Sequence, residues 1–318
     1  MSIDFYSIVT KYQDMNLDVS RVFETIELPP LVNERGVECN KNYFQPSHIY
    51  AFGDSLSDIG NCFDATKKAL AKPIPATPPY FSGRFSNGIL WVEYIAQLLG
   101  LCSDQSTNYA IGGATTGATN SLVPNTPGLT GLQPQIDKFK AENNQTDIRA
   151  LYTIWAGAND YLGAGVTDYN IPVKNLSNAV KSLASVGAKN IMVFNLPDLG
   201  NLPRTRNDIQ ESQFLTNITR LHNSALASEL ETLKQSFSQS INLILIDAYV
   251  IFNQIFSNPA QFGFTNVKDS ALSQHESSLI YTESFFFWDE IHPTTASHLL
   301  MAHKALEALV SVKELSLV

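Results

Sequence analysis

An α/β fold is what this sequence predicts: a three-layer α/β/α sandwich around a mostly parallel sheet. Three observations carry it. Short apolar runs alternate with segments of helical period from residue 49 almost to the C-terminus. The runs are too short for helices and lack strict polar alternation, as suits strands buried on both faces. With 44% hydrophobic and 16% charged residues, the 318-residue chain has the apolar content for a large core and is not disordered by composition.

The elements follow in order. Residues 1–46 form an N-terminal extension, broken by Pro29-Pro30, in which Val19, Phe23 and Ile26 suggest a short amphipathic helix. The extension is expected to pack on the surface of a catalytic domain spanning 47–318. Ile49 to Phe52 reads as a buried strand. Trp91, Ile95, Leu98 and Leu99 mark one face of a helix that Gly100 ends, and Leu151 to Trp155 is a second strand. Val173, Leu176, Val180 and Leu183 share a helical face, with Gly187 as a stop signal. Ile191 to Phe194 is the next strand. Phe214, Ile218, Leu221 and Ala225 fit a long helix running past Leu233, and Leu243 to Ile246 is a further strand. Pro293 opens a last helix through Leu309, in a first turn where a missing N–H costs nothing. Two segments, Lys72 to Gly88 and Phe262 to Glu283, read as long irregular loops, and such loops are often functional.

Charge and cysteine usage exclude several functions. The formal net charge is -9 and no basic cluster exceeds Lys67-Lys68, so nucleic acid is not an expected partner. The 3 cysteines, Cys39, Cys62 and Cys102, make no CxxC pair, which removes zinc-ribbon and thioredoxin readings. A Cys62–Cys102 bridge stays open. Residues 1–18 have Asp4 early and no unbroken apolar core after a basic start, so no secretory signal is expected there. No apolar run reaches the length of about 18 residues that a spanning helix needs. There is no HExxH, GxSxG, GxGxxG or P-loop, and no metal or other cofactor is expected.

In open α/β sheets, ligands bind beyond the carboxyl ends of the strands. Four polar signatures fall at or near such positions. Strand 49–52 runs into Gly53-Asp54-Ser55-Leu56-Ser57-Asp58, and residues 107–113 read Thr-Asn-Tyr-Ala-Ile-Gly-Gly. Strand 151–155 runs into Ala156-Gly157-Ala158-Asn159-Asp160, and Asp289-Glu290-Ile291-His292-Pro293 precedes the last helix.

This set resembles the GDSL, or SGNH, hydrolase superfamily, over about Ile49 to Leu309. The resemblance implies a flavodoxin-like sheet, in agreement with the elements above. It also implies a serine esterase with Ser55 as nucleophile, His292 as general base and Asp289 as the residue orienting that base. The backbone N–H groups of Ser55 and Gly113 and the side chain of Asn159 would form the oxyanion hole, with Gly112 left as an alternative to Gly113. The chemistry needs these types. A serine hydroxyl requires an adjacent base, the base requires an orienter, and the tetrahedral intermediate requires donors already in place. Asp54 and Asp160, beside those positions, are expected to fix loop hydrogen bonds. His298 and His303 are expected on the surface or a helix face.

Gly83-Arg84-Phe85-Ser86-Asn87-Gly88, the block from Asn108 to Gly113, and Gly263-Phe264-Thr265-Asn266-Val267 resemble the lipase-like branch of bacterial phospholipases, lysophospholipases, haemolysins and acyltransferases. The substrate this implies is a lipid or other acyl ester, with a (lyso)phospholipase A activity foremost. A sterol-type acyltransferase, a carbohydrate acetyl esterase and a non-catalytic binding module are alternatives. Contact with a membrane surface stays open. Phe285-Phe286-Phe287-Trp288 is read either as the lining of an acyl groove or as strand core. Phe262 to Phe287 contains no cysteine, unlike many secreted relatives. This fits a protein kept in the cytoplasm, or one delivered into a host cell as an effector.

Overall fold

A computed structural model describes residues 44–312, apart from 124, 144–145, 238–239, 275–281 and 283. The helix expected around Val19, Phe23 and Ile26 lies outside the described residues. Phe44, at the end of the expected extension, is buried in the core, and its N–H donates to the Val312 carbonyl at 3.5 Å.

Five parallel strands form the central sheet: β1 (Ile49–Gly53), β2 (Ser106–Asn108), β3 (Leu151–Trp155), β4 (Asn190–Phe194) and β5 (Asn242–Ile246). Their order is β2-β1-β3-β4-β5, every neighbouring pair parallel. The chain moves outward from β1 to β2, then crosses back past β1 to β3. This reversal makes the carboxyl ends of β1 and β3 a topological switch point, where a crevice opens.

Alternating side chains along each strand feed two cores, one on each face. Ile49, Leu151, Trp155, Met192, Phe194, Ile244 and Ile246 face one side. Helices α2 (Trp91–Leu98) and α9 (Thr295–Val310) cover them. Phe52, Tyr152, Ile154, Ile191, Val193 and Leu243 face the other. Here α3 (Leu132–Glu142), α5 (Asn170–Ser185) and α6 (Ile209–Ser236) pack on top. On the first face Trp155 stacks on Phe194 at 4.4 Å, and Trp91 meets the same ring at 4.5 Å. Burying a side chain of that size stabilises the fold by roughly 2–3 kcal/mol.

The remaining elements are α1 (Asn61–Ala69), α4 (Ala158–Leu162), α7 (Ala248–Ser257), α8 (Ala271–Gln274) and a small parallel pair, β6 (Asn266–Ser270) with β7 (Phe285–Phe287). The stretch Phe262 to Glu283, expected to be irregular, thus contains β6 and α8. The aromatic run resolves as core: Phe286 and Phe287 are fully buried, and Phe252, Phe256 and Phe264 pack edge-on or tilted against them.

Other expectations need correction. The long helix exists, but Phe214 and Leu221 are exposed while Leu215, Ile218, His222 and Leu226 are buried, so its inward face is rotated from the expected one. A polar residue, His222, completes that stripe by bonding Tyr161, and apolar periodicity cannot reveal it. The last helix begins at Thr295, with Thr294 as its cap accepting from the Ser297 N–H, rather than at Pro293. Cys62 and Cys102 are both free thiols. Among the described residues no helix is long and apolar enough to cross a membrane.

His298 and His303 are buried within α9, at 1% and 2% exposure, rather than lying at the surface. Among the described residues neither ring nitrogen of His298 has a hydrogen-bond partner. Burial, reinforced by the charge of His292, pushes the His298 pKa down to about 3. A depressed histidine contributes stability above the unfolded value of 6.5 that is lost as pH falls toward the folded value. His298→Met should therefore gain stability over wild type by ~2 kcal/mol as pH drops from about 7.5 to about 5. Urea unfolding at the two pH values checks this, and a constant difference would contradict it.

Candidate active site

The turn after β1 begins at Gly53, with φ 144°; a Cβ there would stand 2.0 Å from the Trp155 carbonyl oxygen of β3. Glycine is required at that contact. The Gln135 side chain clasps the same residue, accepting from the Gly53 N–H and donating to its carbonyl, both at 2.8 Å. The chain then turns tightly, Ser57 and Asp58 N–H both donating to the Asp54 carbonyl at 3.0 Å. Ser55 sits inside that turn.

Buried Asp58 ties the turn to the loop after β2. Its Oδ1 accepts from Gly60 and Asn61 N–H, and its Oδ2 from Cys62 and Gly112 N–H, at 2.6–2.9 Å. Burial still raises its pKa to about 6 against those four donors. Asn61 Nδ2 donates to the Asn108 and Ala110 carbonyls, and Asn108 Nδ2 donates back to the Ser57 carbonyl at 2.7 Å. The two loops are thereby one polar unit. Since Gly112 spends its N–H on Asp58, it is not a free donor. The Gly113 and Ser55 N–H groups have no hydrogen-bond partner among the described residues. Gly113 has φ +78°, and a Cβ there would collide with Leu122 and Asn120 at 2.4 and 2.6 Å.

Asn159 stands in the first turn of α4, at the carboxyl end of β3. Its Nδ2 donates to the Ala114 carbonyl at 3.1 Å and lies 3.4 Å from Asp54 Oδ2. Asp54 also accepts from the Leu56 N–H, and burial pushes its pKa up to about 7 despite that bond and the nearby His292. Asp160 accepts from the Thr116 N–H and hydroxyl at 2.9 and 2.7 Å, fastening the β2 and β3 loops together.

The turn before α9 completes the arrangement. Asp289 Oδ1 accepts from the Ile291 and His292 N–H groups at 2.8 and 2.7 Å, closing a tight loop on its own backbone. Its Oδ2 meets His292 Nδ1 at 2.7 Å, and His292 Nε2 stands 2.8 Å from Ser55 Oγ. Residues 237 positions apart are thus in direct contact. Burial would raise the Asp289 carboxyl, yet the His292 ring and the two backbone donors outweigh it and hold the pKa below the usual value. In such an array Nδ1 carries the hydrogen bonded to the carboxylate and Nε2 is free to accept.

The Lys72 to Gly88 loop reaches this turn with Tyr80, which lies outside the quoted motifs, and with Phe85, Ser86 and Asn87 of the Gly83 to Gly88 block. The Tyr80 hydroxyl donates to Asp289 Oδ2 at 2.7 Å, sharing that oxygen with His292. Phe85 lies against the imidazole, ring centres 5.1 Å apart. Ser86 donates to the Pro293 carbonyl and Asn87 accepts from the Thr295 N–H, so the loop also grips the start of α9. The density of Pro, Gly and aromatics marked the loop, but which of its aromatics would meet the carboxylate depends on its three-dimensional path.

Ser55, His292, Gly113 and Asn159 open onto one cavity of about 340 Å³. Its walls are largely apolar, with Leu56, Leu162, Leu199, Leu202, Phe252 and Ile291 among them. None of Phe285, Phe286, Phe287 and Trp288 lines it. Among the described residues, no group of three His, Cys, Asp or Glu gathers as a metal site would require.

Residues 49–305 match the family described as GDSL-like Lipase/Acylhydrolase. The chain belongs to that family. The sheet order above is the α/β architecture expected of a member. Relatives include a Thermolabile hemolysin of Vibrio parahaemolyticus, 31% identical over 85% of this chain and 65% of its own length. A Phosphatidylcholine-sterol acyltransferase of Aeromonas hydrophila is 27% identical over 84% of this chain and 91% of its own. The Secreted effector protein SseJ of Salmonella typhimurium is 25% identical over 82% and 65%. The chain therefore spans just under two thirds of the hemolysin and of the effector.

The shared Asp289 oxygen gives Tyr80 a positioning role with a distinct signature. Removing its hydroxyl leaves more of the carboxylate charge for the imidazole, which favours the protonated ring. Tyr80→Phe should lower kcat about tenfold. It should also move the acid limb of the kcat/KM profile to higher pH. A lower rate with an unmoved profile would assign the tyrosine to packing alone.

Proposed function

We propose that the protein is a (lyso)phospholipase A type hydrolase acting through an acyl-Ser55 intermediate. The observation that carries this reading is the Ser55–His292 contact at 2.8 Å opening onto a largely apolar cavity. His292 Nε2 takes the Ser55 proton as Oγ bonds to the ester carbonyl carbon. Asp289 holds the imidazole in register and offsets its new positive charge. The carbonyl oxygen, now an anion, is met by the free N–H groups of Ser55 and Gly113. The Asn159 amide becomes a third donor by giving up its long contact to Asp54 Oδ2. Each such donor is worth roughly 3 kcal/mol in the transition state. The intermediate collapses, the C–O bond to the alcohol breaks, and the alcohol leaves with the proton held by His292. Water then loses a proton to His292, attacks the acyl carbon, and the acid departs as Ser55 recovers its hydrogen.

The apolar wall supports a long acyl group rather than acetate. The relative named for phosphatidylcholine supports a phospholipid donor, and its likeness over 91% of its length favours one second reading, acyl transfer to an alcohol. The chemistry up to acyl-Ser55 is the same in both, and they diverge in whether water or a sterol hydroxyl resolves it. Labelled phospholipid incubated with and without cholesterol separates them, since labelled sterol ester forms only by transfer.

Ser55→Ala should lower fatty-acid release about 10³-fold or more while the protein stays folded by circular dichroism. A fluorophosphonate should label wild type once, at Ser55; full activity in the alanine variant would refute the assignment. With p-nitrophenyl esters, each added acyl methylene should raise kcat/KM about fourfold until the wall is filled, following ~0.8 kcal/mol per buried methylene. A preference for acetate would instead point to a carbohydrate-type esterase.

A further inference from the structure

The cavity holds a cation that the chemistry above does not use. Arg204 is the sole Lys or Arg among its lining residues. It lies between β4 and α6, and its N–H donates to the Glu290 carbonyl at 3.0 Å. Its position is therefore tied to the same turn that carries Asp289 and His292. Of the five guanidinium N–H donors, Nη2 meets the Leu162 carbonyl at 3.3 Å. Among the described residues Arg84, Lys138, Lys181 and Lys304 each pair with a glutamate, whereas Arg204 has no such partner. What distinguishes Arg204 is its place: most of its donors are unbonded at the lining of the catalytic cavity, where they are available to an anion.

The geometry also says which part of a substrate would meet it. Arg204 is exposed, so it stands at the cavity mouth, while the leucines and Phe252 form the apolar wall. An ester bound at Ser55 has two arms. The acyl arm gains by covering apolar surface, and the alcohol arm is the one left near solvent. In a glycerophospholipid that alcohol carries a phosphodiester a few bonds from the ester oxygen. A planar guanidinium with free parallel N–H groups matches two phosphate oxygens.

We propose that Arg204 forms the phosphodiester subsite of the cavity and selects phospholipid over neutral lipid. This inference rests on the phospholipase reading for its natural substrate, but its binding chemistry can be tested apart from that reading.

The experiment compares wild type with Arg204→Gln and Arg204→Lys on lysophosphatidylcholine and on monoacylglycerol of the same chain length. The ratio of kcat/KM between the two lipids should fall about tenfold to hundredfold in Arg204→Gln. Arg204→Lys should retain part of it, the charge remaining without the fork. Using the ratio cancels any general loss of folding. In parallel, monomeric dodecylphosphocholine and dodecyl maltoside are titrated into Ser55→Ala protein with and without Arg204→Gln. Selective weakening of the phosphocholine amphiphile is expected. If wild type turns over monoacylglycerol better, yet phosphocholine binding still depends on Arg204, the phospholipase reading fails and the subsite stands. If wild type prefers the phospholipid while ratio and binding ignore Arg204, the subsite is overturned and the reading stands.

Discussion

The close approach of β1 to β3 at Gly53 is the constraint on which the site depends. A parallel sheet brings neighbouring strands to a common end, but only an absent side chain lets the main chain leave β1 across the Trp155 carbonyl. That exit directs the next turn over the sheet edge, with Ser55 at its crest and Asn159 starting from the adjacent strand. The Gln135 clasp, reaching from α3, satisfies both polar groups of Gly53 where the ladder ends. A larger residue at 53 would displace the start of the serine turn and with it the Asp54 N–H bond to the Trp155 carbonyl.

Carboxylates then act as rivets. Asp58 joins the β1 and β2 loops, Asp160 the β2 and β3 loops, and Asp289 closes the final turn on itself. A buried charge is costly unless several donors meet it, and backbone N–H groups at loop corners are donors that must be satisfied in any case. At Asp289 the adjacent His292, helped by two backbone donors, favours the carboxylate form. At Asp54 and Asp58 burial wins and the acid form persists to higher pH. The same residue type thereby has its pKa moved in opposite directions within one crevice.

Much of this was legible in the sequence because its signals are local. The runs 49–52, 151–155, 191–194 and 243–246 announce four of the strands as short apolar stretches, each within a residue of its observed bounds. The polar blocks that follow β1, β2 and β3, and the one that precedes α9, mark where the sheet ends. Long-range partnerships left no such trace. Tyr80 meets Asp289 across 209 positions, and nothing around it in the chain distinguishes it from a loop aromatic. His298 and His303 looked polar and therefore external, yet α9 is buried nearly all round, so its histidines go inside with it. The rotation of α6 has a similar origin: Phe214 and Leu221 satisfy the helical period, but the sheet selects the neighbouring stripe. β2, three polar residues long, is a strand only because Ile49 to Ala51 offers it an open edge.

The distance along the chain between the two halves of the site has a consequence for biogenesis. The five-stranded sheet is complete once Ile246 has been synthesised, whereas the imidazole arrives only with the turn that precedes α9. A ribosome-bound chain, or one cut short before residue 292, holds a serine with no base and an unfilled sheet face where α9 should dock. Chemistry that needs Ser55 and His292 together therefore cannot begin until both ends of this stretch have been made and have folded against each other.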